Sequence, residues 1–130
     1  MQPCALSPLS IGCKIAYLPP MNDVTKLPVN IDARAPDDCS TMQQVREGVD
    51  AIDRQLVTLI AARQGYMHAA ARIKANRDDV YDAERIEDII EKVLELSKSA
   101  GLSADISEPV WREMIKQCIA HEFKVWDGEI

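Results

Sequence analysis

Large rings are scarce in this sequence: aromatic residues make up 5% of its 130 positions, with two tryptophans, three tyrosines and one phenylalanine. A chain so short and so poor in aromatics has material for a modest core only, and a helical body of this size is expected to complete that core against a second copy. Positive charge is also in deficit, 15 Lys and Arg against 21 Asp and Glu, for a net charge of −6. That balance argues against a general nucleic-acid or anionic-membrane binder, because both need a basic surface to displace counterions. Histidine occurs twice, at His68 and His121, and the four cysteines, Cys4, Cys13, Cys39 and Cys118, form no C-x-x-C pair. With no zinc-ligand spacing available, no metal site is expected. Long apolar runs are missing too, since nothing approaches the ~20 residues of a membrane span. The N-terminus lacks a basic n-region, and Pro3, Pro8 and Lys14 interrupt its apolar stretch, a poor match to a secretory signal. The chain reads as cytoplasmic, with free thiols.

Proline is confined rather than scarce. Six of the seven prolines (Pro3, Pro8, Pro19, Pro20, Pro28 and Pro36) precede residue 37, where no helical or strand period can be followed. Residues 1–38 are therefore expected to be an arm or linker, and 39–130 a helical domain. In the stretch VREGVDAIDRQLVTLIAARQGYMHAAARIK, 45–74, steps of three and four residues mark Val45, Val49, Ile52, Leu56, Leu59, Arg63, Tyr66, Ala70 and Ile73 as one seam. Ser40 or Thr41 can cap this first helix, with Gln44 or Glu47 closing its first turn, and the seam runs to about Asn76. A second helix is expected over roughly Ala83 to Ser99. It would turn Ile86, Ile89, Ile90, Val93 and either Leu96 or Leu94 inward and stop at Gly101. A third opens near Ser107, with Pro109 in its first turn, and runs to about Trp126. Its apolar line is Trp111, Ile115, Cys118, Glu122 and Val125. No strand pattern is visible, so the fold class is all-α with one long and two shorter helices.

Two charges stand in these stripes, Arg63 and Glu122, and each needs a partner, a water-filled cavity or a ligand. A structural bridge between them is one solution. Lys74 offers another. Eleven residues after Arg63 the helix has made about three turns, so both cations leave nearly the same face, about 16 Å apart along the axis. Long side chains can close that gap around one small anion, although a lysine near a helix C-terminus also serves simply to offset the dipole. Arg46 lies roughly 25 Å from Arg63 along a straight helix. It can join the same site only from an antiparallel partner chain. His68, His121 and the acids from Asp82 to Glu95 read as solvated faces, Asp82 excepted.

The segments PDDCSTMQQVREGVDAIDRQLVTLIAAR (36–63), AAARIKA (69–75), DAERI (82–86), AGL (100–102) and IAHEFKVW (119–126) together resemble the all-helical chorismate mutases of the AroQ type. Within them the nearest likeness is to the branch that includes the isochorismate-pyruvate lyases. The signature is R-E-x-x-D-x-x-D, then Arg63, Lys74 eleven later, and D-x-x-R. The resemblance implies an intertwined helical homodimer whose two sites are each built from both chains. It implies that Arg46 of the other subunit and Arg63 bind the substrate's two carboxylates, that Lys74 and Glu122 face the breaking ether oxygen, and that Arg85 lines the site. Asp82 and Ile86 would meet the ring hydroxyl, with Cys118 and Ile119 also in contact with substrate. The implied substrate is a small dicarboxylate, chorismate or isochorismate, with no cofactor. Two positions depart from the common pattern: Ile86 replaces a glutamate of the mutases, as in the lyase branch, and Glu122 stands where many members carry glutamine. The expected activity is chorismate mutase, with isochorismate-pyruvate lyase next and a non-catalytic helical binding dimer third.

Overall fold

The computed structural model describes residues 30–130. Most of the expected arm, with Cys4 and Cys13, lies outside the described residues. Those described form three helices, α1 (Met42–Ile73), α2 (Ala83–Ala100) and α3 (Ala104–Trp126), with 3-10 turns at Pro36–Asp38 and Arg77–Val80 and no strand. The chain divides into two compact units, the first ending at Val49 and the second running from Asp50 to Ile130.

In the first unit, Thr41 and Gln44 start α1 reciprocally. The Thr41 hydroxyl accepts from the Gln44 N–H at 3.2 Å, while the Gln44 side-chain oxygen accepts from the N–H groups of Ser40 at 2.8 Å and Thr41 at 3.3 Å. Donors that a helix start leaves unpaired are thus satisfied by side chains.

In the second unit, α1 stops at Ile73, a little before the expected Asn76, which is extended and precedes the turn Arg77–Val80. That turn packs on α3 and buries Val80. Asp82 begins α2 by accepting the Arg85 N–H at 2.9 Å. Gly101 ends it at φ 72°, a left-handed conformation with no Cβ to clash, which lets the Leu102 N–H reach the Ser97 carbonyl at 2.8 Å. α3 begins earlier than expected. The Ser103 carbonyl accepts from both Ile106 and Ser107 at 3.0 Å, so Ser107 lies inside the helix, fully buried. Pro109 is consequently interior to α3 rather than in its first turn, and the Asp105 carbonyl forgoes the intrahelical donor that proline lacks.

α2 and α3 pack together. Ile90 and Ile115 are buried, Ile86, Ile89, Val93 and Leu94 are half-buried, and Leu96 faces solvent, so Leu94 and not Leu96 turns inward. The α1 seam behaves differently. Leu56, Leu59, Tyr66 and Ile73 are exposed in the single chain, Tyr66 to 74%, while Arg63 and Ala70 are half-buried. The periodicity that marked one continuous stripe was therefore only partly a signal of packing within the chain, and a large apolar surface stays in water at about 25 cal/mol per Å².

Candidate active site

The second unit forms a half-open cavity of about 490 Å³. Helical spacing supplies its walls. Arg63, Met67 and Ala70 on α1 and Lys74 just past its end follow one another at three- and four-residue steps, as do Ile115, Cys118 and Glu122 along α3, with Ile119 beside Cys118. Asp79, Val80 and Asp82 from the connection and Arg85, Ile86 and Ile89 from α2 complete the lining. Arg63, Lys74, Asp82, Arg85, Ile86, Cys118, Ile119 and Glu122, all singled out from the sequence, thus share one cavity. Arg46 belongs to the first unit and is not among the lining residues.

Within the cavity the Lys74 ammonium donates to Glu122 Oε2 at 2.6 Å, with the Glu122 side chain 3% exposed. A buried carboxylate without such a partner would cost several kcal/mol. Arg63 donates through Nη1 to Cys118 Sγ at 3.2 Å. The Arg63–Glu122 bridge considered above does not form. Cys118 and Glu122 stand one turn apart on α3, about 6 Å, whereas Arg63 and Lys74 are about 16 Å apart on α1, so each acidic or soft acceptor can take only the cation nearest its own level. Arg63 spends one of its five N–H donors on a weak sulfur acceptor, which leaves most of the guanidinium available.

The other polar members are partly committed. One Asp82 oxygen caps α2, and the Arg85 guanidinium donates to Asp88 at 2.5 Å on the exposed side of the helix. Asp79 was missed in the sequence because it sits in an aperiodic connection. Its only signal was an acid between Lys74 and Asp82. Tyr66, Ile89 and Ile115 read as packing positions and Met67 and Val80 were not singled out, yet all five line the cavity. His68 and His121 are not independent solvated residues: their Nε2 atoms lie 2.9 Å apart and tie α1 to α3. Cys39 and Cys118 are free thiols, and among the described residues no group of three or more His, Cys, Asp and Glu residues is placed to hold a metal ion. Chemically, the enclosure offers fixed cations, one buried carboxyl group and an apolar wall. Cys118 faces a guanidinium, not a general base, so a base-activated nucleophile is not what this arrangement supplies.

Residues 45–123, more than half of the chain, match the family model described as chorismate mutase type II. The chain belongs to that family. Its helices and the cavity between them lie within or beside the matched segment, and the coarse activity is chorismate mutase-type chemistry on a small molecule. The chain is also similar to the isochorismate pyruvate lyase of Pseudomonas aeruginosa, at 29% identity over 93 residues that cover 72% of this chain and 92% of that protein. Among the described residues, no helix of this family member is long and apolar enough to cross a membrane.

Proposed function

We propose that the protein is a chorismate mutase that rearranges chorismate to prephenate in aromatic amino-acid biosynthesis. The observation that carries the reading is the Lys74–Glu122 pair inside a cavity that also holds Arg63. In this rearrangement one ether C–O bond breaks as one C–C bond forms, so nothing is required of a nucleophile, metal or redox group. Negative charge builds on the ether oxygen only as the bond breaks. The Lys74 ammonium, joined by Glu122 when it carries a proton, donates to that oxygen and stabilises the transition state more than the ground state. Arg63 grips one carboxylate and, with Arg46 of the partner subunit, holds the folded reactive conformer. Asp82, Arg85, Ile86, Cys118 and Ile119 supply the remaining substrate contacts.

The second reading is isochorismate-pyruvate lyase, giving salicylate and pyruvate. It is supported by Ile86, which offers no acceptor to a ring hydroxyl, and by the Pseudomonas aeruginosa relative. Both reactions break the same type of ether bond over the same cations. Incubating the purified protein separately with chorismate and isochorismate tests the proposal. Prephenate from chorismate supports the mutase, salicylate and pyruvate from isochorismate alone support the lyase, and turnover of neither overturns both in favour of a binding dimer.

The homodimer is part of the proposal. It is supported by the exposed apolar seam from Leu56 to Ile73, which a second copy can cover. Mixing an Arg46→Ala chain with an Arg63→Ala chain should restore roughly a quarter of wild-type activity, since a random heterodimer holds one intact site of two. No recovery in verified heterodimers would remove the shared-site element.

A further inference from the structure

We propose that Arg77 is a positioning residue for Lys74: its clamp on the end of α3 keeps the α1–α2 connection in register while the Lys74–Glu122 pair opens for substrate. The inference rests on the chemical role given to Lys74 above, but its geometry stands independently. Lys74 is the first residue beyond α1, and its N–H still bonds the Ala70 carbonyl at 2.9 Å. Beyond it the helix is over, and Asn76 is extended. The next fixed point of the chain is Arg77. Its Nε and Nη2 donate to Oδ1 and Oδ2 of Asp127 at 2.8 and 2.9 Å, a two-point fork at the C-cap of α3. Its guanidinium also lies over the ring of Phe123, 4.5 Å from the centroid. Phe123 is the sequence's single phenylalanine and the neighbour of Glu122.

The connection is thus joined to α3 twice, by an inner rung, Lys74–Glu122, and an outer one, Arg77 with Asp127 and Phe123. The two differ in what a ligand does to them. An entering ether oxygen competes with Glu122 for the Lys74 ammonium, so the inner rung loosens at the moment when the ammonium must be most accurately placed. The outer rung touches none of the cavity-lining groups with its charge and stays closed. A planar fork held at two oxygens and stacked on a ring fixes orientation as well as distance, which a single lysine contact does not. The turn that Arg77 opens also seats Asp79 and Val80 in the cavity wall, so the same clamp sets that wall against α3.

The test compares wild type with Arg77→Ala, Arg77→Lys and Asp127→Asn in the full-length protein. Three quantities are read: kcat and KM on whichever of chorismate and isochorismate the wild type consumes, melting temperature, and backbone amide exchange over residues 75–81. Arg77→Ala should lower kcat about tenfold while changing KM by less than about twofold, because small displacements of a positioned group act on the chemical step. Exchange over 75–81 should accelerate, Asp127→Asn should do the same to a lesser degree, and Arg77→Lys should recover the charge but little of the rate. Should Arg77→Ala fold poorly, the two milder variants carry the comparison. An unchanged kcat with a lowered melting temperature, a rise in KM alone, or wild-type exchange over 75–81 would overturn the proposal. If the wild type consumes neither substrate, the functional reading falls, while the exchange data still decide whether Arg77 anchors the segment.

Discussion

Two regions of this helical body hold a cation against a carboxylate at nearly the same distance. In the cavity, Lys74 meets Glu122 at 2.6 Å, with the glutamate side chain 3% exposed. On the outer face, Arg112 of α3 meets Glu87 of α2 at 2.9 Å and Glu108 at 3.0 Å, with the Glu87 side chain 65% exposed. Contact geometry alone would rank these alike. Water ranks them differently: the outer charges are hydrated and screened whether or not they touch, whereas the buried carboxylate depends on its partner. An ion pair that a fold holds in its interior is therefore the one to examine for chemistry, and the contrast can be broken from either side.

The largest effect is expected at Lys74. Lys74→Ala should reduce kcat by ~10²-fold or more and move KM much less, if the ammonium serves charge that develops only in the transition state. The same change strands Glu122, a defect worth about 3–5 kcal/mol when a buried pair loses one member. Stability and rate can be separated with the double variant Lys74→Ala/Glu122→Gln, which should regain melting temperature and stay slow. If the double variant regained the rate as well, the lysine would be a structural counter-ion.

A smaller effect is expected at Glu122. As a carboxylate it accepts from Lys74, and only as a carboxylic acid can it donate to an ether oxygen. Glu122→Gln carries a permanent N–H donor of similar shape and should keep about tenfold more of kcat than Glu122→Ala, which removes the donor. Equal kcat losses in the two variants would return Glu122 to a purely structural role.

Much of this arrangement was legible because helical period is a local property. Three- and four-residue steps placed Arg63 and Lys74 on one face of α1 and Cys118 and Glu122 on one face of α3, and the cavity gathers all four. What period cannot give is register between helices, and so the partner of Glu122 was left open among Arg63, a water-filled cavity and a ligand when it is Lys74. The α1 seam shows the same limit in another form. Val45 through Ile73 repeat correctly, yet Leu59 and Tyr66 stay in solvent, because a stripe declares that a face is apolar and not whose surface covers it. The start of α3 was misplaced for a local reason. Ser107 and Pro109 look like a cap and a first-turn proline, but the helix starts at Ser103, whose carbonyl accepts from the N–H groups of Ile106 and Ser107. The Arg77 clamp was invisible because cation, carboxylate and ring are brought together across 46 to 50 positions of sequence.

The smallest effect should come from the outer pair, and it sharpens the comparison by failing to matter. The Arg112 hydrogen bonds hold the Glu87 carboxyl below its ordinary value of 4.5, and the two glutamates raise Arg112 further above any working pH. A carboxylate whose value is lowered on folding contributes stability that is fully present above the unfolded value and fades as pH falls through the folded one. Any contribution of this pair is therefore present at pH 7 and lost on acidification below about 4.5. Arg112→Ala should accordingly lower the melting temperature at pH 7 by a few degrees at most. The deficit should shrink both near pH 3 and at about 1 M salt, where screening is short-ranged, with kcat unchanged throughout. The measurement is thermal unfolding of wild type and variant across pH and salt, beside one rate assay. A deficit as large as that of Lys74→Ala, or one that persists at low pH and high salt, would show that Arg112 acts by packing its long stem between α2 and α3. In that case exposure would be the wrong criterion for telling the two regions apart.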